Sequence, residues 1–202
     1  VLAAGLMLGF AFAIRYQTLI IAGGLGLALL LQKKWKATWL LAAGCALGIL
    51  LTQGLIDYLI WGKPFAEFIE YFNYNFTHAH AYIEGDWYNY LLLLLGILIP
   101  PISIFLFLGY FKSWKKYLIL FLPSFLFLLL HSLFPNKQER FIIPMLPFLL
   151  IGGIAGWQEL KSAPFWSKHR KFINGSWVFF WILNTLLLIF VSTMYSKRAR
   201  VE

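Results

Sequence analysis

Residues 135–148 read PNKQERFIIPMLPF. Lys137, Gln138, Glu139 and Arg140 make a short polar knot between two strongly apolar runs, one closing at 131–134 and the next covering 141–157. Apolar runs of this kind on both sides of so few polar residues are what bilayer-crossing helices joined by a tight turn produce. The knot itself has two readings. One is a solvated turn, as loops generally are. The other is a phosphate clamp: Lys137 brings a compact point charge, and Arg140 a rigid fork that matches phosphate oxygens two at a time. Pro144 and Pro147 have no N–H to donate, so the following helix starts bent or loosened and leaves extra polar backbone at the same spot.

Working outward, the 202 residues are 61% hydrophobic, 19% aromatic and 12% charged, which excludes a soluble domain. The expected fold is all-α, a polytopic transmembrane helical bundle of about six to seven spans forming a single transmembrane domain over 1–202. The net charge of +9 would suit nucleic acid, but the basic residues cluster in short breaks between apolar runs, as cytoplasmic loops do, so no nucleic-acid partner is expected. Cys45 is the one cysteine and lies deep in an apolar run, which leaves no disulfide framework and no thiolate metal site. The chain opens on Val1 in mid-membrane sequence and ends on KRARVE, so it reads as a piece of a longer protein.

Residues 1–14 form an apolar run in which Gly5 and Gly9 are spaced for close helix packing. Arg15-Tyr16-Gln17 follows, then the apolar run 18–31, ending at Lys33, Lys34 and Lys36. Arg15 lies roughly 24 Å along a helix from Leu31, close to the thickness of a hydrocarbon core. The chain either turns at Arg15 or continues as one interrupted helix. Further spans are expected over 37–60, with Trp39 and Trp61 as interface anchors and Gly44 and Gly48 at packing spacing, over 91–111, interrupted by Pro100-Pro101, and over 117–134, 141–157 and 176–195. The breaks at 33–36, 112–116 and 161–171 hold ten Lys and Arg, and those at 61–90, 135–140 and 197–200 hold six. The first set is therefore cytoplasmic. Arg15, the 61–90 loop and the Lys137/Arg140 clamp then share the opposite side.

In that outer loop, Pro64 occupies an expected first helical position. Phe65, Phe68, Ile69, Phe72 and Phe76 follow at helical spacing, which predicts a helix lying on the membrane surface or packed on the protein's own core. Asn75, His78, His80, Asp86, Trp87 and Tyr88 are the candidate sugar or acceptor contacts, because sugar C–H faces stack on rings and hydroxyls take hydrogen bonds. Trp87, Tyr88 and Tyr90 equally suit an aromatic belt at the interface. His78 and His80 with Glu84 and Asp86 match no strong metal spacing, and no metal is expected there.

The 135–148 stretch resembles the signature of the glycosyltransferase family 22 mannosyltransferases, roughly HKExRFxxPxxP. Lys137, Arg140, Phe141, Pro144 and Pro147 match it, while Asn136 stands where the family has His and Gln138 where it has Glu. Trp61-Gly62, Tyr74-Asn75 and the Trp87-Tyr88…Tyr90 run resemble the family's aromatic loop, and Arg15-Tyr16-Gln17-Thr18 an arginine motif of bacterial members. The resemblance implies a GT-C fold and an inverting transfer of a sugar, typically mannose, from a polyprenyl-phosphate carrier to a glycan or glycolipid acceptor. Arg15, Lys137 and Arg140 would bind the donor phosphate, supported by Gln138, Glu139, Pro144 and Pro147. The resemblance also implies a catalytic carboxylate in a first outer loop upstream of Val1, so residues 1–202 alone are expected to be inactive. No cofactor is expected; membrane lipids surround the chain, and a bacterial inner membrane is the expected location. A transporter or flippase for an anionic lipid-linked substrate is the competing reading. It calls for internal repeats with matched broken helices, and the sequence shows no convincing repeat. A purely structural membrane subunit gives no reason for Lys and Arg inside this proline pattern.

Overall fold

A computed structural model describes residues 1–78 and 84–195. The chain is an all-α membrane bundle, with no strand among the described residues. Its helices are α1 (Leu2–Ile14), α2 (Thr18–Leu31), α3 (Trp35–Ile49), α4 (Asp57–Trp61), α5 (Ala66–Thr77), α6 (Asn89–Ile97), α7 (Ile102–Lys112), α8 (Leu118–Leu133), α9 (Leu146–Leu160), α10 (Pro164–Lys168) and α11 (Arg170–Tyr195). A π-helical stretch, Leu50–Ile56, joins α3 to α4 without a break. By length and composition three segments cross a bilayer alone, Trp35–Trp61, Glu139–Leu160 and Arg170–Thr193. The α6–α7 pair, bent by 117°, is long and apolar enough only when its two helices are taken together, as a broken span or a re-entrant loop, and α1, α2 and α8 are shorter apolar helices.

Glycines set how the helices pair. A Cβ on Gly5 would run into the Leu41 carbonyl, one on Gly9 into Cys45 and Gly48, and one on Gly44 into Leu2. The two small-residue pairs thus meet each other, and because position 5 faces 41 while 9 faces 48, α1 and α3 run parallel. Gly109, Gly153 and Gly156 do the same for α7 and α9, with Leu106 facing Gly153 and Gly109 facing Gly156. Gly24 seats α2 against Pro123 of α8. Since α1 and α3 are parallel with α2 between them, the chain turns at Arg15. That puts Arg15 at the Trp61 end of the bundle and Lys33–Lys36 at the other. At that other end Lys116 pairs with Glu159, as two basic breaks on one side require.

The core lies between α6, α7, α8 and α9, where Tyr90, Leu94, Ile102, Phe105, Leu149 and Trp157 are buried. Phe105 stacks on Trp157 with ring centroids 4.5 Å apart. The bend between α6 and α7 follows from Pro100-Pro101, which offers no amide to continue α6, and Ile99 just before it takes a left-handed φ of 55°. α11 touches α7 near its start, where Ile173 and Ser176 are buried, while Phe179, Trp181, Ile182 and Leu186 point outward. It begins at Arg170, six residues before the expected span, because residues 170–175 continue the helix beyond the apolar run.

Pro64 does not start a helix. Phe65 takes a left-handed φ of 58° and donates its N–H to the Gln53 carbonyl at 2.7 Å, so α5 begins one residue later, at Ala66. The first turn of α5 is held from elsewhere: buried Asp57 accepts from the Glu67 amide at 3.1 Å, a cap supplied across the chain. At the 139–145 stretch two 3-10 turns, Glu139–Phe141 and Ile143–Met145, precede α9. That is the loosened helix start expected of Pro144 and Pro147.

Candidate functional site

The Arg15 turn, α5 and the segment 130–141 converge at one end of the bundle on a cavity of about 560 Å³. Tyr16, Gln17, Leu19 and Ile20 line one side, and Phe68, Tyr71, Phe72, Asn75 and Phe76 of α5 a second. Leu130, His131, Phe134, Asn136 and Phe141 close it. Positions 68, 71, 72, 75 and 76 fall on one helical face. The amphipathic helix lays this face along the bundle's end, with Phe68 half-buried against Tyr16 while Phe72 and Phe76 stay exposed at the open side of the cavity. Aromatic contacts fix this arrangement: Tyr16 lies 5.2 Å from Phe68 and 4.6 Å from Tyr71 between ring centroids. The Tyr16 hydroxyl donates to Gln53 Oε1 at 3.2 Å. Burial, reinforced by the charges of Glu67 and Asp57, pushes that hydroxyl above the usual tyrosine range.

The 135–140 knot is pinned from three directions. Tyr90 Oη donates to the Gln138 carbonyl at 3.0 Å and lies 3.4 Å from the Asn136 carbonyl. Gly85 N–H donates to the Pro135 carbonyl at 3.3 Å, next to an isolated antiparallel bridge between Glu84 and Asn136. A Cβ on Gly85 would strike the Asn89 side-chain amide and crowd the Lys137 side chain, so a larger residue here would displace both. The third anchor is Lys137, whose ammonium donates to the carbonyls of His131 (3.1 Å), Ser132 (2.7 Å) and Phe134. Its three protons thus serve the frayed C-terminal carbonyls of α8. It also sits 5.3 Å from the Tyr90 ring centroid. Burial holds the Lys137 ammonium below the usual lysine range.

Arg140 is exposed, its guanidinium 5.5 Å from the centroid of the Phe141 ring, and it has no hydrogen-bond or ion-pair partner among the described residues. Arg15 is likewise exposed and without a side-chain partner among them. Arg15 and Lys137 both lie close enough to His131 to act on its imidazole electrostatically. None of the three cations lines the cavity itself; Arg15 and Lys137 lie near its His131 wall, and Arg140 sits beside Phe141, another lining residue.

Of the loop residues expected to contact sugar, Asn75 lines the cavity, with its Nδ2 donating to the Tyr71 carbonyl at 2.8 Å. His78 stacks on Tyr74, 4.4 Å between centroids, and its Nδ1 lies 3.0 Å from the Tyr74 carbonyl, so it ends α5. Tyr88 donates to Asp86 Oδ2 at 2.7 Å, and that bond raises the Tyr88 hydroxyl above its ordinary range. Trp87 is 66% exposed and meets Tyr88 edge to face. None of His78, Asp86, Trp87 and Tyr88 lines the cavity. His80 falls outside the described residues. Gln138 contributes its main-chain carbonyl to the Tyr90 bond, and Glu139 is exposed. Tyr16, Tyr71, His131 and Asn136 are not among the candidate contacts; Tyr16 lies inside the arginine motif, Asn136 at the family's His position and Tyr71 at the helical spacing of α5, while nothing local points to His131.

A helical membrane bundle carrying the Lys137–Pro147 pattern at one end of an apolar cavity is a membrane glycosyltransferase. Residues 1–201 match the Alg9-like mannosyltransferase family, and the chain belongs to that family. A GT-C fold and a mannosyltransferase-type activity are consistent with this membership. No curated protein and no solved structure matches the chain.

Proposed function

We propose that this protein transfers a sugar, mannose in the first instance, from a polyprenyl-phosphate donor to a glycan or glycolipid acceptor on the non-cytoplasmic face of a bacterial inner membrane, with inversion. The observation that carries this reading is an apolar cavity of about 560 Å³ with cations, Arg15 and Lys137, near its His131 wall. An isoprenoid chain needs apolar walls, and its phosphate needs positive charge where the chain ends. In the reaction the acceptor hydroxyl oxygen attacks the anomeric carbon. The bond from that carbon to the phosphate oxygen breaks, its electron pair leaves with the phosphate, and the hydroxyl proton goes to a carboxylate.

Arg140 and Arg15 are the groups free to meet the phosphate as negative charge builds on it. Lys137 contributes its field from behind while holding the end of α8. No carboxylate lines the cavity. Asp57 is committed to the α5 amide, Asp86 to Tyr88 and Glu159 to Lys116. The test offers the intact protein, in membranes, mannose on a polyprenyl phosphate or on a nucleotide. Transfer from the lipid carrier supports the reading, and transfer from the nucleotide alone overturns it.

A further inference from the structure

We infer that His131 recognises a sugar hydroxyl in the cavity, accepting its hydrogen bond on Nε2 beside the amide of Asn136. His131 stands on the last turn of α8 and is only 9% exposed, yet it forms part of the cavity wall. Its ring stacks on Phe127 at 4.0 Å between centroids, and its Nδ1 lies 2.8 Å from the Phe127 carbonyl oxygen. A carbonyl oxygen only accepts, so Nδ1 carries the proton, and in the neutral ring Nε2 holds a bare lone pair. Nε2 has no partner among the described residues.

Asn136 lines the same cavity, is 4% exposed, and its Oδ1 has no hydrogen-bond partner. Buried acceptors of this kind are normally satisfied, and leaving them empty is costly. Of the other polar groups in the wall, the Tyr16 hydroxyl is committed to Gln53, while Gln17 Nε2 donates to the Tyr71 hydroxyl and Asn75 Nδ2 to the Tyr71 carbonyl. The chemistry of the bare His131 Nε2 selects the ligand. Phosphate oxygens are acceptors and gain nothing from a lone pair. An O–H donor does, and a sugar phosphate presents both kinds of group within a few bonds. Arg15 and Lys137, electrostatically coupled to His131, place the hydroxyl-reading group next to the phosphate-reading ones.

This inference rests on the glycosyl-transfer reading above, and the hydroxyl belongs either to the donor sugar or to the acceptor. The experiment measures kcat/KM for the intact protein in membranes, as wild type, His131→Phe and His131→Gln, with the natural substrates and with single-deoxy donors and acceptors. His131→Phe, which keeps a ring but loses the acceptor, is expected to lower kcat/KM roughly tenfold to a hundredfold, because a buried hydroxyl is left unpaired. His131→Gln, which restores an acceptor oxygen, recovers part of the loss. One deoxy analogue abolishes the difference between wild type and His131→Phe, and whether it is a donor or an acceptor identifies the source of the hydroxyl. Wild-type rates in His131→Phe, or the same loss on every analogue, would overturn the inference and leave a packing role. Failure of the wild-type protein itself to transfer from any lipid-phosphate sugar would sink the functional reading, and this inference with it.

Discussion

The Tyr90 hydroxyl donates to the main-chain carbonyl of Gln138 at 3.0 Å, across 48 residues of sequence. The ring that makes this bond is buried in the α6–α9 core, so the polar knot is tied to the buried centre of the bundle. Tyr90→Phe keeps the packing and removes the tie. It is expected to cost about 1 kcal/mol of stability and to lower turnover more than it lowers expression. Thermal unfolding in detergent beside a transfer assay checks this; unchanged turnover would separate the knot from the site.

Lys137 and Arg140 should fail in different ways. Lys137→Met removes the cation that serves three carbonyls of α8, so it lowers both stability and activity. The pH dependence carries a sign as well. Burial puts the folded-state pKa of Lys137 below its ordinary value of 10.5, so between the two the native state binds fewer protons than the unfolded one and stability rises with pH. An unfolding series approaching that value should show the slope in wild type and lose it in Lys137→Met.

Two adjacent glycines give a clean packing test. A Cβ on Gly24 would collide with the Pro123 backbone, whereas one on Gly23 meets nothing within 4 Å. Gly24→Ala is expected to cost about 1–3 kcal/mol by forcing α2 from α8. Gly23→Ala should stabilise by up to about 1 kcal/mol, as alanine does in a helix interior. Equal effects in a thermal unfolding comparison would contradict the α2–α8 contact.

Topology is checked by labelling. With the buried Cys45 replaced by Ala, His78→Cys should react with an impermeant thiol reagent from the non-cytoplasmic side, and Ser162→Cys should not. Both positions are exposed. Ser113 would be a poor reporter, since it is buried and donates to the Gly152 carbonyl at 3.1 Å. The reverse labelling pattern would invert the proposed placement of the site.

What the sequence could show was local. Hydropathy located the helices, and the small-residue spacing of Gly5, Gly9, Gly44 and Gly48 is now seen as one interface. The motif from Lys137 to Pro147 carried the family because its information is residue identity at fixed spacing. Partners were not legible. The sequence gives Lys137 a charge but does not say that three carbonyls of α8 use it. His131 looked like the end of an apolar run, because the cavity it lines needs Tyr16 and Phe68 from distant parts of the chain. Pro64 carried a helix-start signal that the tertiary bond from Phe65 to Gln53 overrode.

The central claim is that lipid phosphate is bound by the free guanidinium at Arg140, and Arg140→Lys tests it most directly. The variant keeps the charge and removes the fork. The measurement is the initial rate of mannose transfer from labelled polyprenyl-phosphate donor by the intact protein in membranes, at matched expression. The account predicts a fall of roughly tenfold or more, with the fold left intact because Arg140 has no hydrogen-bond or ion-pair partner among the described residues to lose. A wild-type rate from Arg140→Lys and from Arg140→Ala alike would contradict it and leave residues 135–140 as a structural turn.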